Sequence, residues 1–304
     1  MTKVYENGYS MKFKVLLLLV PIVCLSSCKN KVDYHFKDLD PTITYDDVYL
    51  IMGQSNASGV SQYAYLAEDY IDLYERYTQG NSKVLISYDT DDRIQKKFVP
   101  TKFGFAYTEE FFGPEIGIAE ELSKLDKTSY IIKASFGGSC LQTQYVDKDG
   151  HKKILYNRFI DFIYGQLKTL KNQGKQPRLR GMFWMQGETD STLKDPENYK
   201  AAEKHFVDYL RTDLNDYIYE YFNFVDAYIS NHTNVWLYPE VINECKQQLA
   251  DENDHWYCIK TNGEDEEALN LYLKLEMYEG DDACHYDSKS MLLLGQTAGQ
   301  YLLK

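Results

Sequence analysis

The feature that most constrains the fold of this chain is an alternation of short apolar runs with segments of helical spacing. The first run, residues 47–52 (DVYLIM), is compact and ends at Gly53, which is typical of a buried parallel strand that leads into a turn. Similar runs follow at residues 83–88, 129–134, 179–185 and 234–242. Segments with helical spacing lie at residues 114–125, 155–170, 196–222 and 288–303. Strands that alternate with helices predict an α/β fold with a central parallel five-stranded sheet covered on both faces.

Length and charge limit the possible organisation and partners. The chain has 304 residues, 44% of them apolar, and shows no internal repeat, so we expect one sizeable core. The formal net charge is −13 and the basic residues are scattered. Because a phosphate backbone is held by clustered Lys and Arg, nucleic acid is excluded as an expected partner. The sequence indicates no oligomeric state.

The N-terminal segment has the composition of an export signal. Residues 12–28 (KFKVLLLLVPIVCLSSC) place lysines before a short apolar stretch and small residues before Cys28. The stretch is too short to span a bilayer. The ending LSSC resembles the bacterial lipobox, in which the cysteine receives lipid after cleavage. We therefore expect residues 1–28 to be a signal peptide with lipobox and Cys28 to be the lipid anchor. An ordinary signal peptide or an uncleaved buried helix is the alternative.

This interpretation sets the boundaries of the remaining chain. Met11 directly precedes the basic residues, so residues 1–10 are interpreted as a possible start-site extension. Residues 29–45 lack periodicity and predict a tether, while the folded domain is expected at residues 46–304. The mature chain would carry 30 basic and 45 acidic side chains, a balance of −15. The expected location is that of an exported bacterial lipoprotein, membrane-anchored at the cell surface or in the periplasm.

Two sequence features leave alternatives open. Cys140, Cys245, Cys258 and Cys284 remain after export, where disulfides are permitted. Bridges between Cys245 and Cys258 and between Cys140 and Cys284 are one hypothesis, and buried free cysteines are the other. Residues 61–112 and 246–280 are less regular and are interpreted as insertions that form pocket walls. Within the second insertion, residues 270–276 fit a strand or a helical turn.

Three polar, glycine-rich loops follow the predicted strands. They have the sequences GQSNASG, SFGGSC and QGETD. In an open α/β sheet, ligands bind beyond the carboxyl ends of the strands. The three loops are therefore expected to converge on one edge of the sheet.

The first loop contains a candidate nucleophile. Ser55 follows the strand by two residues, Gly53 permits a tight turn, and the next helix would direct N–H groups toward a developing oxyanion. A serine hydroxyl needs an imidazole to accept its proton and a carboxylate to orient the imidazole. Asp282 and His285, three residues apart before the last helix, can be presented together by one short loop. A surface or capping pair is the alternative for this spacing.

The other two loops supply candidate oxyanion donors. The side-chain amide of Gln186 can donate to a tetrahedral oxyanion, which an ionised carboxylate cannot do. Gly138 can offer a backbone N–H where close approach is needed, although a plain turn with positive φ explains it equally well. Four further residues, Gln54, Asn56, Glu188 and Asp190, are interpreted as loop-bracing or substrate-contacting groups.

No metal centre is expected. The motifs C-x-x-C and H-E-x-x-H do not occur. The histidines outside the candidate pair lack ligand-like spacing with Asp, Glu or Cys; they are His35, His151, His205, His232 and His255.

Taken in order, five blocks resemble those of one enzyme family. The blocks GQSNASG, FGPEIGIAEEL, SFGGSC, WMQGETD and DACHYDSKSMLLLG are similar to the sialate O-acetylesterase and acetylxylan-esterase-related branch of the SGNH hydrolases. The resemblance implies a flavodoxin-like three-layer sandwich, removal of acetyl groups from carbohydrate hydroxyls and no cofactor or metal. Gln54 and Gln186 depart from the wider superfamily, which has an acidic residue and an asparagine there, but they fit this branch.

The resemblance also implies the roles of the candidate residues. Ser55 would be the nucleophile and first oxyanion donor, Gly138 and Gln186 the other donors, and Asp282 and His285 the acid and base. The expected partner is an acetylated carbohydrate such as sialic acid or xylan, together with a membrane through the lipid. The alternatives are an inactive glycan-binding surface lipoprotein and an esterase for acyl esters that are not carbohydrates.

Overall fold

The computed structural model describes residues 36–91, 93–231 and 235–304. The expected signal peptide at 1–28, with its possible extension at 1–10 and Cys28, lies outside the described residues. So do residues 29–35 of the expected tether, including His35, and His232. Among the helices that are described, none is both long and apolar enough to cross a membrane.

Within the described residues the elements alternate as the sequence predicts. The strands are β1 (Asp46–Gly53), β2 (Ser61–Gln62), β3 (Asn81–Thr90), β4 (Arg93–Thr101), β5 (Phe111–Phe112), β6 (Ser129–Ser135), β7 (Pro177–Met185), β8 (Ile218–Ala227) and β9 (Trp256–Ile259). The α-helices are α1 (Ser55–Ser58), α2 (Ile71–Gln79), α3 (Glu115–Leu122), α4 (Ile154–Asn172), α5 (Tyr199–Asp213), α6 (Pro239–Glu252) and α7 (Ser288–Leu302).

One twisted sheet organises the domain. Its strand order is β4-β3-β6-β1-β7-β8-β9, and β1 lies at its centre between β6 and β7. All neighbouring strands from β3 to β9 are parallel, whereas β4 pairs with β3 in antiparallel orientation at the edge. The prediction of an α/β fold with a central parallel sheet is confirmed, but the sheet has seven strands instead of five. The additional strands are the hairpin partner β4 and the short β9.

Two hydrophobic cores flank the sheet and make the fold a three-layer sandwich. Along β1, Leu50 and Met52 belong to one core and Tyr49 and Ile51 to the other, as the alternation of side chains across a strand requires. The first core includes buried residues of α4, α5 and α6, and the second includes those of α2, α3 and α7. Both faces of the sheet are therefore covered, as in the fold that the sequence resemblance implies.

The predicted fifth strand was wrong. The described part of that run, residues 235–242, does not form a strand, because α6 begins at Pro239, a residue that favours the first turn of a helix. The strand in this part of the sheet is β8, which the sequence analysis assigned to the end of a helix at residues 196–222. That helix ends earlier, at Asp213, and the aromatic-rich segment after it extends along β7.

Local contacts show the state of the four cysteines and the conformation of residues 270–276 and 36–45. Cys140, Cys245, Cys258 and Cys284 are all free thiols, so neither of the two hypothetical bridges is present. Residues 270–276 form a turn that makes a single antiparallel bridge, between Leu273 and Tyr286. The described end of the expected tether, residues 36–45, contacts the domain through a parallel bridge between Lys37 and Tyr219.

Candidate active site

The turn after the central strand exposes Ser55 at the start of α1. Gly53 has a φ of +143°, and a Cβ there would lie 1.9 Å from the carbonyl oxygen of Met185, so the position requires glycine. Ser55 is half-buried, whereas Asn56 and the rest of α1 are buried. The turn therefore presents one hydroxyl at the carboxyl end of the central strand.

A buried ion pair holds the end of α1 in place. Lys133 on β6 is fully buried and donates to the carbonyl of Ser58 at 2.9 Å, to that of Phe105 at 3.0 Å and to Glu115 Oε2 at 2.7 Å. Sequence analysis did not single out Lys133, although a lysine inside the apolar run SYIIKA is a visible signal. Because its ammonium fixes the last residue of α1, Lys133 holds the turn that carries Ser55.

Asp282 and His285 form a hydrogen-bonded pair in the loop before α7. His285 Nδ1 lies 2.7 Å from Asp282 Oδ2, while Asp282 Oδ1 accepts the backbone N–H of Cys284 at 2.9 Å and of His285 at 3.2 Å. Burial opposes ionisation of Asp282, but these hydrogen bonds outweigh it and lower the pKa of the carboxyl. Asp282, the second of two adjacent acids, is thus the one that orients the ring through Nδ1 and leaves Nε2 for a substrate or a nucleophile.

Asn56 joins the serine turn to the histidine loop. Its Nδ2 donates to the carbonyl of Cys284 at 3.4 Å, and its Oδ1 accepts the N–H of Tyr286 at 3.4 Å. The two residues that flank His285 therefore contact the side chain of the residue that follows Ser55. Among the described residues the Ser55 hydroxyl makes no hydrogen bond of its own, and such contacts often tighten only when substrate is bound.

Gly138 lies on an open loop after β6. It has a φ of +63°, it is exposed, and a Cβ there would meet no atom within 4 Å. Its neighbours are anchored, since the N–H of Phe136 donates to Gly53 at 3.0 Å and that of Gly137 donates to Asp91 Oδ1 at 2.8 Å. Within the described part of the chain the Gly138 N–H has no acceptor, so it is available to an oxygen atom of a substrate.

Gln186 is fully buried behind this loop. Its Nε2 donates to Asp190 Oδ2 at 2.7 Å, to the carbonyl of Ser139 at 3.0 Å and to Gln54 Oε1 at 3.2 Å. Its Oε1 has no partner among the described residues. The amide hydrogens are therefore directed to acceptors within the protein, and donation to an oxyanion would require one of these contacts to be exchanged.

The other polar residues of the loops brace the site. Asp190 accepts the N–H groups of Leu141 at 2.8 Å and Gln142 at 3.1 Å, which fixes the segment after Gly138. Glu188 is buried and accepts Asn56 Nδ2 at 2.9 Å, and burial raises the pKa of its carboxyl. Together with Gln54 and Asn56, these two side chains make the contacts of loop-bracing residues.

A second buried charge network supports the Gln186 loop. Lys246 of α6 donates to the carbonyl of Gln186 at 2.6 Å, to Asp226 Oδ1 at 2.8 Å and to the carbonyl of Ala227 at 2.7 Å. Tyr199 donates to the same Gln186 carbonyl at 3.2 Å. Sequence analysis missed this network because its members come from elements that are far apart in the chain.

Both irregular segments contribute to cavity walls. Residues of the first, including Tyr63, Phe103 and Tyr107, line cavities of about 340 Å³ and 510 Å³. Residues of the second, including Leu269 and Met277, line a cavity of about 280 Å³.

One group of possible metal ligands occurs in the described part of the chain. Asp147, Asp149 and His151 bring ligand atoms within 4.8 Å of one another in an exposed turn before α4. The expectation that His151 lacks ligand-like spacing with Asp, Glu or Cys was therefore wrong. Lys153 already pairs with Asp147 at 2.7 Å, and the group is not part of the Ser55 loops.

Comparison with known proteins gives the family. Residues 45–304 match the model of the carbohydrate esterase family of sialic acid-specific acetylesterases. No curated protein matches the chain significantly.

Three solved structures share the fold. A protein from Arabidopsis thaliana has a TM-score of 0.62 and 16% identity, with 86% of this chain and 98% of that chain covered. NanS has a TM-score of 0.59 and 16% identity, with 85% and 97% covered. A carbohydrate acetylesterase from Xanthomonas citri has a TM-score of 0.52 and 15% identity, with 84% and 54% covered. The chain is a carbohydrate acetylesterase that belongs to the family of sialic acid-specific acetylesterases.

Proposed function

We propose that this protein is a serine esterase that removes O-acetyl groups from carbohydrates through an acetyl-enzyme. Ser55 is the nucleophile, His285 the general base and acid, and Asp282 the group that orients His285. No cofactor takes part in this reaction. The observation that carries the proposal is the link through Asn56, which ties the loop of the Asp282–His285 pair to the turn that presents Ser55.

The first half of the reaction transfers the acetyl group to the enzyme. Ser55 Oγ attacks the acetyl carbonyl carbon and its proton passes to His285 Nε2. The negative charge that develops on the carbonyl oxygen is stabilised by the N–H groups of Ser55 and Gly138, with Gln186 as third donor if it releases an internal acceptor. When the intermediate collapses, the carbon–oxygen bond to the sugar breaks and the sugar oxygen takes the proton from His285.

The second half releases acetate. Water attacks the acetyl carbon as His285 takes its proton. When this second intermediate collapses, the bond between the acetyl carbon and Ser55 Oγ breaks, acetate leaves, and His285 returns the proton to Oγ. Both halves require an imidazole whose Nε2 can accept a proton and then return it.

The Ser55→Ala variant tests the proposal directly. It should abolish hydrolysis of p-nitrophenyl acetate and leave the thermal unfolding temperature close to that of the wild type, because the Ser55 hydroxyl makes no hydrogen bond to the described residues. Ser58→Ala, on the last residue of the same short helix, is the matched control and should keep activity. If Ser55→Ala hydrolyses the ester at the wild-type rate, the proposed mechanism is wrong, and an inactive wild type would favour a glycan-binding protein without turnover.

We infer that the enzyme acts outside the cytoplasm as a lipoprotein. The support is the sequence LSSC at residues 25–28, which follows an apolar stretch and two lysines. Metabolic labelling with a radioactive fatty acid should mark the wild type in the membrane fraction. Cys28→Ser should lose the label, and a labelled Cys28→Ser variant would contradict the anchor.

A further inference from the structure

Lys246 on α6 is a fully buried charged residue that takes no part in the steps of the proposed reaction. Its ammonium donates to the carbonyls of Gln186 at 2.6 Å and Ala227 at 2.7 Å and to Asp226 Oδ1 at 2.8 Å. An ammonium has three hydrogens, so all of its donors are occupied and the group has one fixed position. Gln186 directly follows β7 and Ala227 ends β8. Lys246 therefore joins the carboxyl ends of two neighbouring strands.

Gln186 connects the loops that carry the two backbone N–H donors. Its Nε2 donates to Gln54 Oε1 at 3.2 Å, one residue before Ser55. The same nitrogen donates to the carbonyl of Ser139 at 3.0 Å, one residue after Gly138. A shift of the Gln186 main chain would therefore change the contacts of both loops. The groups that hold the Gln186 carbonyl thus affect the distance between the two N–H donors.

Two buried carboxyl groups balance the charge of Lys246. Asp226 and Glu203 are both fully buried and are in hydrogen-bond contact with each other. Asp226 Oδ2 and Glu203 Oε2 have no donor among the other described residues. Two ionised carboxylates cannot share a hydrogen bond, so one proton lies between them. Burial, together with the charge of Asp226, raises the pKa of Glu203, which therefore keeps this proton. One positive and one negative charge remain, and the group is neutral.

Tyr199 on α5 is the second donor to the same carbonyl. Its hydroxyl lies 3.2 Å from the Gln186 carbonyl oxygen and 3.1 Å from Glu203 Oε1. The indole N–H of Trp184 donates to this hydroxyl at 3.3 Å, which fixes its orientation. Donors from α5 and α6 therefore meet on one carbonyl. We define the Lys246 network as the set of four side chains Tyr199, Glu203, Asp226 and Lys246.

We propose that Lys246 and Tyr199 are positioning residues for the reaction, which fix the Gln186 main chain and thereby hold the two backbone N–H donors where the oxyanion forms. The inference rests on the proposed esterase function and concerns residues that do not touch the substrate. Donors stabilise an oxyanion only if they are held at the position that the oxygen will occupy. A misplacement of about 1 Å can reduce the rate roughly a hundredfold. The neutral network supplies a rigid support without an unpaired charge beneath the site.

The first test removes both charges of the network at once. Lys246→Met combined with Asp226→Asn leaves no carboxylate unpaired, and the asparagine keeps an oxygen for the N–H of Ala227. We expect kcat for p-nitrophenyl acetate to fall by at least about tenfold while KM changes little, because alignment in the transition state is lost and binding is kept. A folded variant with the wild-type kcat would overturn the proposal.

A double-mutant cycle distinguishes positioning through Gln186 from a general loss of stability. In the Gln186→Ala background, the same pair of substitutions should lower kcat by less than about twofold more, because the side chain that connects the two loops is already absent. Effects that multiply would contradict the route through Gln186. Asp47→Asn, at the opposite end of β1, is the matched control, since it removes a buried carboxylate that pairs with Lys127 and Arg178. It should lower the thermal unfolding temperature and keep kcat.

Tyr199→Phe covers the case in which the charge-removing variant does not fold. It deletes one oxygen atom and keeps the ring. We expect kcat to fall about two- to tenfold, as for the loss of one hydrogen bond, with KM unchanged. A wild-type kcat in Tyr199→Phe would contradict the proposal, as would an equal fall in kcat in the Asp47→Asn control.

Ser55→Ala and Gln186→Ala separate a failure of this inference from a failure of the proposed function. A fully active Ser55→Ala would exclude the serine mechanism, whatever the network variants show. If Ser55→Ala and Gln186→Ala both lose turnover while the network variants keep it, only the positioning role is wrong.

Discussion

The side-chain amide of Asn56 donates to the carboxyl of Glu188 at 2.9 Å. This contact joins the turn after the central strand to the loop after β7. The same amide group contacts Cys284 and Tyr286 on both sides of His285, so one side chain connects three loops of the candidate site. In the proposed mechanism Asn56 is a positioning residue, which holds the loop of His285 against the turn of Ser55.

Replacement of Asn56 should impair turnover more than substrate binding. In Asn56→Ala the loop of His285 loses two contacts to the serine turn, and a misplacement of about 1 Å can reduce the rate roughly a hundredfold. We expect kcat for p-nitrophenyl acetate to fall by at least about tenfold with little change in KM. The control is Glu188→Gln, which keeps an oxygen acceptor for Asn56 and should stay within a few fold of the wild type. If Glu188→Gln lowered kcat strongly, the Glu188 carboxyl would instead have a role in the reaction.

Gln186 should matter for turnover whether it donates to the oxyanion or holds the Ser139 carbonyl. The loss of one oxyanion donor typically costs about 3 kcal/mol, so Gln186→Ala should lower kcat roughly a hundredfold. Gln166→Ala, at a buried glutamine on α4, is the matched control and should lower stability without lowering kcat. Turnover of Gln186→Ala near the wild-type value would exclude both roles of Gln186.

Removal of Lys133 alone should destabilise the protein, because Glu115 would then stay buried without its partner. Removing one partner leaves an unpaired buried charge, so Lys133→Met should lower the free energy of unfolding by about 3–5 kcal/mol in urea denaturation. Adding Glu115→Gln removes the orphaned charge and keeps an acceptor for the Gly113 N–H, so the double variant should recover much of this loss. A double variant as unstable as the single one would show that the charge is not the cause.

The stability of the protein should decrease as the pH rises above the normal range of a glutamic acid. Burial and the neighbouring Asp226 carboxylate raise the pKa of Glu203 well above 4.5, so the folded state keeps a proton that the unfolded state loses. Because the folded state then binds more protons, stability is full below the unfolded pKa and is lost as the pH rises toward the folded pKa. Glu203→Gln, which cannot ionise, should gain stability relative to the wild type as the pH is raised from about 5 to about 8. Thermal unfolding across this range measures the effect, and parallel curves for the two proteins would contradict it.

The sequence pattern predicted those strands whose own residues mark where the strand begins and ends. The runs that became β1, β3, β6 and β7 are apolar and short, and they end at glycine or polar residues, so they were predicted at nearly their final bounds. The error at β8 has a physical cause. Its alternating aromatic and polar residues follow directly on α5, whose helical spacing conceals the boundary, while the apolar run near Pro239 is a helix start.

The candidate site was predictable where its residues occur in short blocks. Ser55 begins the short helix α1 after β1, and the other three lie in loops after a strand or before the last helix, namely Gly138, Gln186 and His285. The buried charged residues that support the site could not be predicted from short sequence blocks. Lys246 and Asp226 become neighbours only because α6 packs against the end of β8.

The role of Ser55 is tested most directly by covalent labelling with a serine-directed phosphonate, followed by peptide mapping by mass spectrometry. We expect a single adduct on the peptide that contains Ser55, slower labelling in His285→Ala, and no adduct in Ser55→Ala. An adduct on another serine, or labelling of Ser55→Ala at the wild-type rate, would contradict the assignment of Ser55 as the nucleophile.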